Sequence, residues 1–462
     1  MDSKNDTKQQ APMAKIAFAS FIGTTIEYYD FYIYGLAAAL VFPALFFPRL
    51  DPASGLLAAF ATYGVAFLAR PLGGAVFGHF GDRVGRKTML IFSLLLMGVA
   101  TMLIGLLPGY DTIGILAPIL LIVLRFLQGV GLGGEWAGAV LMAAEHAPAG
   151  KRSFYGGFPQ LGPAPAYLLS AGIFLVLIAW LTPQQFAAWG WRIPFLLSIV
   201  LVGVGLFIRV RLAETPVFQQ IMDSHTAARV PLWVVLRAHP QTVLLAAGAG
   251  IVIFCFFYIV TVFSISYGVN QLGLPQATML YCVMVAIAFM GLAIFFFATI
   301  SDKVGRRNLS LFSTALLGLW AFPMFRLIDT GNPALITFAF TVGMVAWAAM
   351  YGPMGAFFSE LFPTRVRYSG CSLSFALAGV LGGALAPTVA VRLMTATGDS
   401  WSVAAYVFAM AVISFVCLLL LPETWRDIPY TRAHGAPLAC RDASDAAISR
   451  PARNSTQDAP EF

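Results

Sequence analysis

The stretch Gly81-Asp82-Arg83-Val84-Gly85-Arg86-Lys87 returns 220 residues later as Ser301-Asp302-Lys303-Val304-Gly305-Arg306-Arg307. Each copy follows one apolar run (56–80 and 277–300) and precedes another (88–108 and 308–327). Two further pairs recur in the same order. Glu145, Pro148 and Arg152 return as Glu360, Pro363 and Arg367 at an offset of 215, and Glu214-Thr215 returns as Glu423-Thr424 at an offset of 209. Three loop signatures at nearly one spacing indicate a chain built twice.

Outward from these loops the chain resolves into twelve apolar runs. They lie near 16–42, 56–80, 88–108, 113–143, 154–181, 191–212, 241–269, 277–300, 308–327, 333–358, 371–396 and 401–421. About twenty apolar residues cross the hydrocarbon of a bilayer as a helix, and a helix satisfies its own backbone there. The fold class read from this pattern is all-α integral membrane, with twelve transmembrane helices as two six-helix bundles. An even number of spans per half gives both halves the same orientation, a parallel repeat. The expected organisation is an N-terminal segment 1–15, a six-helix bundle 16–212, a polar linker 213–240, a second bundle 241–421 and a tail 422–462. The tail lacks an apolar period and is expected to be disordered. The first run is too long, and too polar at its centre, for a cleavable signal peptide.

Composition agrees. Of 462 residues, 59% are hydrophobic and 11% charged, with mean hydropathy +0.81. A soluble domain carries about 25% charged residues, so an ordinary soluble enzyme, a disordered chain and a disulfide scaffold are excluded. The net charge of +7 is explained by placement. Lys and Arg number 17 in the loops on one side of the spans and 4 on the other, which puts both termini in the cytoplasm of a cell (inner or plasma) membrane. A topological origin for the charge leaves no case for nucleic-acid binding. The five cysteines (Cys255, Cys282, Cys371, Cys417 and Cys440) have no metal-ligand or redox spacing and read as free thiols. The five histidines lie in loops or at span ends, and none pairs with another at metal spacing. No cofactor and no obligate protein partner is indicated; the partners expected are the lipid bilayer and a small metabolite.

Charges within a span are costly and mark function. Away from the span ends they are Glu27, Asp30, Arg70, Arg125 and Glu135, all in the first half. Glu27 and Asp30 stand at i, i+3 with Phe31 and Tyr34 on the same stripe. A buried carboxyl beside a cation can take up and release a proton; the same pair can also serve as a structural clamp to a neighbouring helix. Arg125 offers a planar fork suited to a carboxylate, to be spent on a substrate or on an internal pair with Glu27 or Asp30. Gln128 and Glu135 share a helical face near it. The expected substrate and proton pathway is therefore Glu27, Asp30, Tyr34, Arg125, Gln128 and Glu135. Gly129, Gly131, Gly133, Gly134 and Gly138 are read as close-packing positions. In the second half, Tyr258, Thr261, Asn270, Gln271, Tyr281, Trp347 and Tyr351 are candidates to line a cavity. Asp82, Arg83, Gly85, Arg86 and Lys87, with the weaker copy Asp302, Lys303, Gly305, Arg306 and Arg307, are read as an ionic gate that holds one end closed.

These loops resemble the major facilitator superfamily, whose loop signature matches Gly78-x-x-x-Asp82-Arg83-x-Gly85-Arg86-Lys87 and is echoed at Asp302–Arg307 and Pro422-Glu423-Thr424. The resemblance covers about residues 15–425. A narrower likeness is to the metabolite:proton symporter family. It rests on the span-one run from Gly23 to Gly35, on Arg70-Pro71-Leu72-Gly73-Gly74, on Arg125-Phe126-Leu127-Gln128-Gly129 through Gly133-Gly134-Glu135-Trp136, and on Trp191-Arg192-Ile193-Pro194-Phe195 and Arg211-Leu212-Ala213-Glu214-Thr215-Pro216. Tyr28 departs from that family, which usually has tryptophan there. The resemblance implies proton-coupled uptake by alternating access and does not choose the solute, and Arg125 favours a small organic acid. Its alternatives are a zwitterionic osmolyte such as proline or betaine, or proton-coupled export. A membrane enzyme would need a nucleophile–base set or metal ligands within the spans, and no such set is present.

Overall fold

The structure is a computed structural model that describes residues 13–84, 86–148, 151–210, 231–363 and 366–424. All regular elements among the described residues are helical. Twelve long helices are numbered here in chain order. They are α1 (Met13–Leu40), α2 (Pro52–Val84), α3 (Arg86–Leu106), α4 (Leu116–His146), α5 (Arg152–Trp180) and α6 (Arg192–Val210). The second set is α7 (Pro240–Asn270), α8 (Gln276–Val304), α9 (Arg306–Ile328), α10 (Pro333–Glu360), α11 (Arg367–Thr397) and α12 (Trp401–Leu420). Ten of these are long and apolar enough to cross a membrane on their own, and α6 joins them with its lead-in Pro183–Gly190, bent by 41°. The remaining helix is α1, whose centre carries Glu27 and Asp30. The parts of the expected organisation that fall on 1–12, 211–230 and 425–462 lie outside the described residues.

Local sequence sets the helix ends. Proline opens α2, α7 and α10, where its missing N–H costs nothing. Asn332 caps α10 by accepting from Ala334 N at 2.9 Å. Gly305 separates α8 from α9 at φ 102°, a left-handed conformation that favours glycine. Three helices are interrupted. The run expected as one helix over 154–181 breaks at Gly162, before Pro163. A Cβ at Gly162 would lie 2.9 Å from Thr24 Cβ, so this break is also where α5 meets α1. Single π turns interrupt α7 at Ile259–Phe263 and α11 at Gly379–Ala384; such turns bend a helix and often sit at functional sites.

In the first half α4 packs on α2 and α3, α6 on α3, and α1 on α5 and α6; in the second, α10 packs on α8 and α9, and α12 on α9 and α7. The halves meet where α11 faces α2 and where α8 and α10 face α5. Glycine permits the closest of these contacts. A Cβ at Gly129 would collide with Ala66 O, and one at Gly133 with Arg70 O, so α4 lies backbone to backbone on α2, as small residues allow in lipid. Large apolar side chains such as Phe18, Leu68, Leu244, Leu292 and Leu319 point outward, the surface that the low charge content requires. At the end opposite the Asp302 loop, a vestibule of about 730 Å³ opens between the halves, lined by Ala39, Asp51, Ser266, Asn270, Gln276 and Thr395 among others.

Candidate substrate and proton site

The intramembrane charges expected from sequence all lie buried within the first half. Glu27 and Asp30 on α1, Arg70 on α2, and Arg125, Gln128 and Glu135 on α4 are all buried. Phe31 is the hub: the Arg125 guanidinium carbon lies 4.4 Å from its ring centroid and that of Arg70 4.6 Å. The two cations are therefore within about 9 Å of each other. Arg125 also lies over Tyr34 at 3.9 Å and Tyr63 at 4.9 Å, and Arg70 over Phe67 at 4.3 Å. Aromatic faces stabilise a desolvated guanidinium by about 2 kcal/mol or more, less than the cost of removing one from water.

Hydrogen bonds around Arg125 form a line. Its Nη1 donates to Gln128 Oε1 at 2.9 Å, Gln128 Nε2 donates to Thr101 Oγ1 at 2.6 Å, and Thr101 Oγ1 lies 3.1 Å from Asp30 Oδ2. Sequence reading offered a direct pair between Arg125 and Glu27 or Asp30. Among the described residues, Arg125 instead reaches Asp30 through Gln128 and Thr101. The Nε and Nη2 atoms of both Arg70 and Arg125 have no hydrogen-bond partner, and neither does Asp30 Oδ1. Tyr34, the other expected pathway residue of α1, donates to Thr62 Oγ1 at 2.8 Å and supplies its ring face to Arg125.

Glu135 is not brought into this group. Ten residues beyond Arg125, it lies ~15 Å further along α4, where it accepts from Ser93 Oγ at 3.4 Å. Of the second-half candidates, Tyr258, Trp347 and Tyr351 line a small central cavity of about 20 Å³ with Tyr28 and Tyr32. Tyr28 Oη lies 3.3 Å from Tyr351 Oη, and Gln160 Nε2 donates to Tyr351 O at 2.8 Å, joining the halves at mid-depth. Tyr28, the departure from the family's tryptophan, thus sits at the interface of the halves. Asn270 lines the vestibule with Gln271. Thr261 donates to Phe257 O within its own helix, and Tyr281 is 63% exposed. Thr101, Gln160 and Tyr63 were not singled out in the sequence, and Arg70 was noted only as an intramembrane charge.

Of the two ionic loops, the described side chains belong mostly to the second. Gly85 and the side chains of Asp82, Arg83 and Arg86 lie outside the described residues. Lys87 donates to Val210 O at 2.7 Å, tying α3 to α6 within the first half. The second copy bridges the halves. Asp302 Oδ1 and Oδ2 accept from Ser153 N at 3.3 Å and Phe154 N at 3.2 Å, at the start of α5. A carboxylate there meets unpaired N–H groups and the positive end of the helix. Arg306 adds a bond from Nε to Ser153 Oγ at 2.8 Å and ion pairs with Asp302 and Glu360. Arg367 of α11 faces Glu145 of α4 at 3.8 Å, a second cross-half pair.

A family model for the Major Facilitator Superfamily matches residues 20–387. The inner membrane metabolite transport protein YhjE of Escherichia coli (strain K12) is 46% identical over 89% of this chain and 94% of its own length. The shikimate transporter of the same organism is 40% identical over 89% and 95%, and the proline/betaine transporter of Salmonella typhimurium 32% over 89% and 84%. Among solved structures, the proton:xylose symporter XylE superposes with a TM-score of 0.72 at 15% identity, over 89% of this chain and 96% of that one. The chain therefore belongs to the major facilitator superfamily and is a multi-pass membrane transporter of small molecules, not an enzyme.

Proposed function

We propose that this member of the major facilitator superfamily imports a small organic anion together with a proton across the cell membrane, by alternating access. The observation that carries the reading is the set of four guanidinium nitrogens, on Arg70 and Arg125, that are buried without acceptors around Phe31. Buried donors with charge call for an acceptor-rich anion. A quaternary ammonium would meet two cations already laid over the rings of Phe31, Tyr34 and Phe67, so a carboxylate fits the site better than a betaine. Asp30, buried and linked to Arg125 through neutral hydrogen-bonding groups, supplies the proton-carrying carboxyl, with Glu27 one turn away on the same stripe.

The halves 16–212 and 241–421 would rock about this centre. The vestibule belongs to the outer side, and the bonds of Asp302 and Arg306 with the start of α5 belong to the cytoplasmic side, where the 17-to-4 bias of basic residues also puts both termini. The test is uptake into proteoliposomes under an acid-outside pH gradient, with shikimate, citrate, succinate, proline and glycine betaine supplied separately. A carboxylate should accumulate and lose that accumulation when a protonophore is added. Accumulation of betaine alone, or of any solute regardless of protonophore, would overturn the reading.

A further inference from the structure

We infer that Thr101 of α3 is the positioning residue that couples the proton on Asp30 to the anion on Arg125. The inference rests on the proposed roles of those two groups. Thr101 is fully buried, and three polar groups surround its single hydroxyl. Gln128 Nε2 donates to it at 2.6 Å, Met97 O lies 2.9 Å away within the same helix, and Asp30 Oδ2 lies at 3.1 Å. A hydroxyl has one proton to give. It goes either to the Met97 carbonyl or to Asp30, and the charge on Asp30 decides which.

With Asp30 ionised, the Thr101 proton points at the carboxylate, because a charge-assisted bond is the stronger of the two. The line then runs head to tail from cation to anion: Arg125 donates to Gln128, Gln128 to Thr101, and Thr101 to Asp30. Aligned bonds of this kind polarise one another in a low-dielectric interior. When Asp30 takes a proton, the alignment ends. A proton on Oδ2 turns the last bond round; a proton on Oδ1, which has no hydrogen-bond partner, leaves Thr101 facing a neutral oxygen. With the proton on Oδ2, the Thr101 proton is released to Met97 O and every member keeps a partner; with it on Oδ1, the charge-assisted hold on the Thr101 proton is lost.

The sign of the coupling follows. An anion bound at Arg125 cancels the charge that the line carries to Asp30, so the carboxylate loses support and holds its proton more tightly. Linkage makes the effect reciprocal: a protonated Asp30 favours an anion at Arg125. Anion and proton then load together, as symport requires. The titratable and charged groups near Asp30 are Glu27, Tyr29 and Tyr34 on α1 itself and, beyond Gln128, Arg125 on α4. From α6 the contact is the Pro194 carbonyl, which accepts from Tyr29 Oη at 2.8 Å. Arg70 of α2 lies over Phe31, the next residue of α1 after Asp30. Among the described residues, Thr101 is the group in hydrogen-bond contact with both Asp30 and Gln128.

The experiment is infrared titration of the carboxyl C=O stretch in the full-length transporter reconstituted in lipid, without any transported solute. The band lost in Asp30→Asn identifies Asp30. Thr101→Val should move its midpoint by at least about one pH unit in the alkaline direction, a tenfold gain in proton affinity, and Thr101→Ser should leave the midpoint near that of the parent. Arg125→Gln should shift the midpoint in the parent but add little in the Thr101→Val background. An unmoved midpoint in Thr101→Val, a Thr101→Ser midpoint displaced as far as that of Thr101→Val, or an undiminished Arg125→Gln shift in the Val background overturns the role of Thr101 while leaving Asp30 as the proton carrier. Absence of any titrating band lost in Asp30→Asn overturns the proton role of Asp30 and this inference with it.

Discussion

At the scale of single residues, the site is defined by what its cations have been given. Arg125 has aromatic faces and one amide oxygen; Arg70 has aromatic faces. A guanidinium presents a fork of N–H groups, whereas an ammonium is a point charge. Arg125→Lys keeps the charge but loses the fork and the reach to Gln128. A charged hydrogen bond contributes ~1.5–3 kcal/mol, so the variant should raise the apparent Km for the transported anion about tenfold or more. Arg70→Gln should do the same without disturbing the line to Asp30. Initial-rate uptake at a series of solute concentrations checks both, and an Arg70→Gln protein with parental Km would place Arg70 outside the binding site. The cations themselves were legible in the sequence, because arginine within an apolar run has few roles other than functional ones. Thr101 was not. A threonine in the middle of a span usually bonds its own helix, as Thr25, Thr261 and Thr299 do, and only its three-dimensional neighbours set Thr101 apart.

At the scale of helices, the apolar runs located every span to within about four residues, because length and hydropathy are properties of the segment alone. Interruptions were less legible. Nothing in Ile259–Phe263 announces a π turn in α7, since such a turn answers to packing from other helices. Glycine was read for packing at five positions of α4, and the structure shows why two of them tolerate no side chain. A Cβ at Gly133 would meet Arg70 O, with Gly74 N at 2.7 Å and Gly73 Cα at 2.9 Å behind it. All are backbone atoms, so relief requires α2 to move away and take Arg70 with it. Gly133→Ala should therefore destabilise the protein by about 1–3 kcal/mol, the range of overpacking, and lower uptake as well. Gly203→Ala on α6, where nothing lies within 4 Å, is the matched control. Thermal unfolding in detergent should separate the two; equal melting temperatures would mean that α2 and α4 can part freely.

At the scale of the whole molecule, the paired loop signatures identified the repeat but named none of the partners that its second copy reaches. The first copy matches the family pattern more fully; the second is the one whose described side chains reach the other half. The reason is that Asp302 and Arg306 act with groups far away in sequence, Ser153 and Phe154 of α5 and Glu360 of α10. A motif score along the chain does not count such partners. Asp302→Asn removes the charge that faces the start of α5 and one of the two carboxylates paired with Arg306, while preserving shape. If this cluster holds the Asp302 end closed, the variant should spend more time open at that end. Cys371, 2% exposed near the start of α11 with its Sγ donating to Phe358 O of α10 at 3.4 Å, is a native reporter for loosening of that end. With Cys417 and Cys440 replaced by serine, a membrane-impermeant maleimide applied from the loop side should label Cys371 several-fold faster in Asp302→Asn than in the Asp302 parent. Added anion substrate should alter the rate in both. Equal labelling rates with and without the substitution would show that the halves are held together at that end by the apolar contacts of α2 with α11 and of α5 with α8, with the ionic cluster contributing nothing to closure.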